Sequence, residues 1–273
     1  MKSAFTRNIV IIGSGNLATH IALALYDAGH VISQVYSRSL SNAKALAERV
    51  GSRAVASLKD VTPDAQIYVI AVKDDAIPSV VKGLSHVSQN AVLIHTAGTV
   101  SITLLAGRKR YGVLYPMQTF TKTLDIEFSE IPCFIEASEP AVLHELRCLA
   151  ESISHRVTEA DSTKRKKLHL AAVFACNMVN HCYRLAEEIL SEENLDFSLL
   201  FPLIKETSRK VQKMSPKEAQ TGPMRRGDKT VMEAQKSLLH DDDMLRLYDL
   251  MAESISQRYK SAKNPLINQK TTQ

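Results

Sequence analysis

Through the first 160 residues the apolar positions follow two periods in turn. Short apolar, β-branched runs read as strands: "NIVII" at 8–12, "HVISQVYSR" at 30–38, "RAVAS" at 53–57, "AQIYVIAV" at 65–72, "NAVLIHTAG" at 90–98, "YGVLYPMQTF" at 111–120, "PCFIEA" at 132–137 and "HRVTEA" at 155–160. Segments of helical period lie between several of them, including "NLATHIALALYDAG", "SNAKALAERV" and "EPAVLHELRCLAESIS". Strands alternating with helices predict an α/β fold, a doubly wound and mostly parallel sheet that binds ligands at the carboxyl ends of its strands. After Asp161 the strand signal stops. One long helix is expected over 162–195, a second over 197–214 broken early by Pro202, a loop-containing stretch over 215–239 and a last helix over 241–262. The predicted organisation is a ligand-binding domain at 1–160, an all-α domain at 161–263 and a flexible tail at 264–273.

The first strand runs into "GSGNLA", a Gly-rich turn that opens a helix. This is the GxGxxA form of the dinucleotide fingerprint of a Rossmann domain. Gly13 permits the tight turn, Gly15 lets the backbone approach a pyrophosphate, and Ala18 lets the helix pack closely on the strand. Ser14, Asn16 and Leu17 complete the cofactor-binding turn. Cofactor choice is read at the end of the second strand. An NAD site places an Asp or Glu there for the ribose 2′-hydroxyl, but "YSRSLSNAK" has no carboxylate. Ser37, Arg38 and Ser39 suit a 2′-phosphate instead, which predicts NADP. Ser39 can equally serve as a helix N-cap, and the two roles are compatible. Val72, Lys73 and Asp74 after the fourth strand, and Thr96 and Gly98 after the fifth, are expected to border the bound cofactor. His95, Tyr115 and Gln118 are candidate substrate contacts, with packing as the competing role.

"HLAAVFACNMVNH", residues 169–181, has no charged residue other than its terminal histidines. On a helical wheel of 100° per residue, Asn177, Asn180 and His181 fall on the same side as His169. His169 and Asn177 are the chemistry-bearing residues of this stripe that stand out. Asn180 is a weaker substrate-binding candidate, and His181 reads as an interface residue. The competing reading makes these residues buried polar groups that fix helix packing. In "TGPMRRGDK", Arg226 and Asp228 are candidate substrate contacts, against a helix-connecting loop with an N-cap Asp.

Composition narrows the classes. The 273 residues are 45% hydrophobic and 23% charged, ordinary for a globular chain with two cores. No apolar run suggests a membrane span, and the N-terminal segment lacks signal-peptide character, so a cytoplasmic location is expected. A net charge of +5 with no tryptophan argues for an anionic small molecule rather than nucleic acid. The four cysteines show neither CxxC pairing nor metal-ligand spacing; no metal site is expected.

Taken in order, the GxGxxA turn, "VIAVKDDAIP", "HTAG", "YPMQTF", "HLAAVFACN" and "GPMRRGD" resemble a group of Rossmann proteins with a C-terminal helical domain of unknown function. Its members are provisionally labelled NADP oxidoreductases. The chain is more distantly similar to pyrroline-5-carboxylate reductase, deazaflavin-dependent NADP oxidoreductases and the 6-phosphogluconate and β-hydroxyacid dehydrogenases. The resemblance implies NADP-dependent hydride transfer to or from a small, anionic carbonyl, imine or alcohol. It also implies a homodimer through a helical domain that covers the nicotinamide. One departure stands out: where β-hydroxyacid dehydrogenases place a catalytic Lys four residues before an Asn, this chain has Val173 ahead of Asn177. The resemblance then makes His169, two turns before Asn177, and Asn177 the candidate catalytic pair, His169 exchanging a proton and Asn177 orienting a carbonyl or hydroxyl. The missing Lys keeps open a non-catalytic NADP-binding sensor or regulator, and beyond it an interaction protein with a vestigial Rossmann domain.

Overall fold

A computed structural model describes residues 6–260. The tail expected at 264–273 lies outside the described residues. Within them the chain divides into two compact units, which meet in sequence between Met178 and Val179.

The first unit is built on one eight-stranded sheet in the order β3-β2-β1-β4-β5-β6-β7-β8. Its strands are β1 (Asn8–Ile12), β2 (Val31–Tyr36), β3 (Arg53–Val55), β4 (Ile67–Ile70), β5 (Val92–His95), β6 (Tyr111–Pro116), β7 (Cys133–Ala137) and β8 (Val157–Glu159). Neighbours are parallel except β6 and β7, which run antiparallel. The helices α1 (Asn16–Asp27), α2 (Leu40–Arg49), α3 (Ile77–Gly83) and α4 (Pro140–Glu151) connect the strands. Alternation along each central strand feeds two cores. Ile9, Ile11, Ile67, Val69, Val92 and Ile94 pack with α1, α2 and α4 on one face. Val10, Ile12, Tyr68, Ile70 and Leu93 pack with Ile77 and Val80 of α3 on the other. Both faces are covered, which is why these strands read as continuous apolar runs. The strand order reverses direction at β1, between β2 and β4, and opens a crevice at their carboxyl ends.

Helix α5 (Ser162–Ala172) leads into a π-helical stretch, Val173–Met178, that ends this unit. The expected single helix of 162–195 is therefore not uniform: the wide π turn interrupts it, and its continuation α6 ends at Glu192 (Val179–Glu192).

The second unit is all helical: α6, α7 (Phe201–Lys213), α8 (Pro216–Ala219), α9 (Pro223–Arg226), α10 (Lys229–Lys236) and α11 (Asp242–Lys260). Pro202 does not break a helix. It sits in the first turn of α7, where its missing N–H costs nothing, after a short 3₁₀ turn at Phe197–Leu200. The loop-containing stretch expected at 215–239 holds three short helices joined by brief links, the first opened by a Ser215–Glu218 capping box. Arg225 stacks over the Tyr259 ring at 5.2 Å, and Ser256 donates to the Met224 carbonyl at 3.0 Å, joining α9 to α11. Among the described residues of this unit only Ala252 is buried.

Candidate functional site

The crevice at the carboxyl ends of β1, β2, β4 and β5 holds a cleft of about 830 Å³. At its floor Gly13 takes φ +127°, and a side chain there would run into the Ala71 carbonyl, so only glycine fits. The Gly13 N–H donates to the Tyr36 carbonyl at 2.8 Å, fastening the turn to β2. Gly15 caps α1 without any side-chain cap, no acid lies in the first turn, and the space over its Cα is open. Unpaired N–H groups at the positive end of a helix, facing open space, make a phosphate site. Ala18 is fully buried against the sheet. Asn16 uses its amide to donate to the Phe120 carbonyl at 2.8 Å, tying the loop after β6 to the phosphate turn.

At the end of β2, Ser37 and the exposed Arg38 line the same cleft, and Ser14 donates to Ser37 at 2.8 Å. No carboxylate stands among 36–39 to repel a 2′-phosphate. Ser39 takes the N-cap role: its hydroxyl accepts from the Asn42 N–H at 3.3 Å and it does not line the cleft. Val72, Lys73 and Thr96 line the cleft as well, together with Leu58, Ser79 and Val80, which no local motif singles out. Asp74 is not on the lining; it accepts a hydrogen bond from Thr99 and so clips the end of β4 to that of β5. The turn, the helix end and the acid-free β2 terminus fit a dinucleotide phosphorylated on its ribose.

Beyond Thr96 the edge of β5 carries a second group of residues. Tyr115 Oη and His169 Nδ1 are 3.0 Å apart, their rings tilted with centroids at 6.1 Å. Gly98 makes this possible, because a Cβ there would stand 2.6 Å from His169 Nδ1 and 3.0 Å from Tyr115 Cζ. Tyr115 is 8% exposed, and burial, followed by the charge of Asp74, pushes its phenol up against the opposing pull of Arg165.

Arg165, one helical turn before His169, is fully buried. It pairs with Glu136 of β7, donates from Nε to the Ala97 carbonyl at 3.1 Å, and donates from Nη2 to the Val100 carbonyl. Ser162 closes the ring by donating to Glu136 at 2.9 Å while accepting from the Ile102 N–H at 3.1 Å. This network pins α5 onto the loop that holds Gly98. Sequence reasoning missed it: Arg165 sits inside "TKRKK", where nothing distinguishes one buried cation from its solvated neighbours.

His95 lies under this loop with no exposed surface, its Nδ1 accepting from the Ala97 N–H at 3.2 Å. Burial, then the charge of Arg165, lowers its pKa to about 4, so it is a neutral packing residue near pH 7. The structure thus brings His169, Tyr115 and Gly98 together and keeps His95 beneath them.

The remaining candidates are more scattered. Asn177 is exposed within the π-helical stretch, where a wheel of 100° per residue does not hold, so its expected alignment with His169 lacks a regular helix to carry it. Gln118 is exposed and accepts from the Thr119 N–H at 2.9 Å. In the helical unit Asn180, His181 and Arg226 are exposed, and Asp228 caps α10 by accepting from the Val231 N–H at 3.2 Å. Among the described residues no cluster of side chains suits a metal ion.

Comparison with known proteins agrees with this architecture. Residues 8–98 match the family "NADP oxidoreductase coenzyme F420-dependent", and residues 131–255 match a "Domain of unknown function (DUF2520)". A Bacteroides fragilis protein, solved under the provisional name of an NADP oxidoreductase, is 45% identical over 94% of this chain and 100% of its own, with a TM-score of 0.89. The chain belongs to this family of NADP oxidoreductases, in which a Rossmann domain precedes a helical domain of unknown function. The cofactor of the family is NADP. An imine reductase from Myxococcus stipitatus in complex with NADP+ shares the fold at 15% identity, covering 93% of each chain with a TM-score of 0.63. So does a 1-pyrroline-5-carboxylate reductase from Streptococcus pyogenes, at 14% identity over 93% of this chain and 100% of its own, with a TM-score of 0.64. No curated protein matches the chain.

Proposed function

We propose that this protein moves a hydride between NADP(H) and a small, anionic carbonyl, imine or alcohol, with His169 exchanging the proton that accompanies it. The observation that carries the proposal is the Tyr115–His169 pair packed on Gly98, two residues along the β5 edge from Thr96 of the cofactor cleft. When bound, the nicotinamide supplies or accepts the hydride. The chain's own part is to hold the phosphates at Gly13–Leu17, select the 2′-phosphate with Ser37 and Arg38, and present an imidazole beside the reacting carbon. Asn177 orients the substrate oxygen or nitrogen in this reading. The imine chemistry of the proteins that share the fold makes small cyclic imines and 2-oxo acids the first compounds to try.

The test is NADPH oxidation, followed by absorbance, across such a panel with wild type, His169→Gln and Asn177→Ala. A turned-over substrate whose rate falls by about 10²-fold or more in His169→Gln, with NADPH affinity retained, is expected. Equal rates in all three proteins would contradict the assignment. Val173, where β-hydroxyacid dehydrogenases carry a catalytic Lys, favours a second reading: an NADP-binding sensor that turns nothing over.

We further propose a homodimer formed through the helices. Leu170, Phe174 and Met178 on one stretch, and Leu199, Phe201 and Leu203 on another, are between 46% and 63% exposed, and large exposed apolar side chains grouped on a helix suit an association surface. No described helix is long and apolar enough to cross a membrane. Four free thiols suit the cytoplasm.

A further inference from the structure

Tyr115 stands among the substrate-contact candidates, but its surroundings give it another task. We infer that Tyr115 is a positioning residue, whose phenol donates to His169 Nδ1 and so holds the neutral imidazole with its proton on Nε2. The inference rests on the proton-exchange role proposed for His169 and adds which nitrogen performs it.

A neutral imidazole has one N–H, and the partner of one ring nitrogen decides where that proton sits. The 3.0 Å contact between Tyr115 Oη and His169 Nδ1 can be made with either group donating. The two arrangements differ in what they leave over. If Nδ1–H donated, the phenol hydrogen would need another acceptor, and among the described residues Oη has none besides His169. Tyr115 is 8% exposed, between Phe134 at 6.3 Å and His169 at 6.1 Å, so that hydrogen would find no protein acceptor and little water. If the phenol donates, both groups are satisfied and Nε2 carries the imidazole proton. Nε2 has no hydrogen-bond partner among the described residues, which leaves it for a ligand. The same burial that raises the phenol's pKa keeps Tyr115 a donor across the physiological range.

The geometry is held from three sides. Gly98 leaves no side chain to push the imidazole away. Arg165 fixes both the helix that carries His169 and the carbonyls of Ala97 and Val100 on either side of Gly98. Glu136 neutralises Arg165, while Asp74 is the carboxylate whose charge reaches Tyr115 from the cleft rim.

The test is the tautomer itself. Long-range ¹⁵N–¹H correlation spectra of uniformly labelled protein at about pH 8, with His169→Gln to identify the resonances, report which nitrogen is protonated. Wild type is expected to show the Nε2–H form in excess by about tenfold or more. Tyr115→Phe, which removes only the hydroxyl, is expected to give a mixture of tautomers with NADPH affinity within about twofold of wild type. A dominant Nδ1–H form in wild type, or an Nε2–H excess that Tyr115→Phe leaves unchanged, would overturn the inference. Either result is independent of turnover, so failure of the oxidoreductase reading would be seen separately, as NADPH binding without any substrate.

Discussion

A histidine buried in its neutral form makes stability depend on pH, and His95 is such a group. At the end of β5 it holds a position where ligand contact is plausible on topology alone, yet it has no exposed surface and its pKa is lowered to about 4. A histidine kept neutral when folded binds fewer protons than its unfolded counterpart, at 6.5, anywhere between those values. Its contribution is complete above pH 6.5 and lost as the pH falls towards 4, on the order of 3 kcal/mol in all. His95→Asn, which can still accept from the Ala97 N–H, should therefore show a shallower loss of stability than wild type in urea titrations between these pH values. Parallel profiles would mean that His95 is not the group responsible. Gly13 is constrained in a different way: Gly13→Ala meets both a positive φ and the Ala71 carbonyl. It should lose NADPH binding and cost at least ~1–3 kcal/mol in thermal or urea unfolding.

At the scale of elements, the tie between α5 and the strand edge does most to build the site. The fully buried Arg165 pairs with the half-buried Glu136 and is joined to three backbone or hydroxyl partners. Removing one member strands the other's charge, so Arg165→Met should destabilise by about 3–5 kcal/mol in urea unfolding. Glu136→Gln keeps the hydrogen-bonding shape but leaves the fully buried Arg165 cation unpaired, so it should destabilise by a comparable amount. A loss below ~1 kcal/mol in Arg165→Met would show that α5 is held by packing alone. The element scale is also where sequence and structure part company. Strands and connecting helices were legible because burial on both faces writes itself as β-branched runs, as in "NIVII" and "IYVI". The phosphate turn was legible because its glycines answer to backbone geometry. The meeting of Tyr115 with His169 was not, since 54 residues separate them and no local pattern reports a contact made by tertiary packing. The π-helical stretch is equally hidden: its sequence, "VFACNM", carries no breaker, so its pattern reads as regular helix.

The whole molecule pairs a well-filled α/β unit with helices that bury almost nothing. Arg165 is the only buried residue of α5, and Ala252 the only one described after Val179. Helices of that kind are stable when a partner covers them. Light scattering is expected to give twice the monomer mass, and Phe174→Asp, placed on the 60% exposed Phe174, should shift the protein to monomer at micromolar concentration. A monomeric wild type would remove the dimer from the account.

The central claim, an NADP-selective cleft serving the residues at the β5 edge, is tested most directly by titrating the protein with NADPH and NADH, following nicotinamide fluorescence, in wild type and Arg38→Ala. The account predicts that wild type prefers NADPH by about 10- to 100-fold, the range of a charge-assisted contact, and that Arg38→Ala loses most of this preference with NADH binding unchanged. Equal affinity for the two nucleotides in wild type, or an Arg38→Ala protein as selective as the parent, would contradict it.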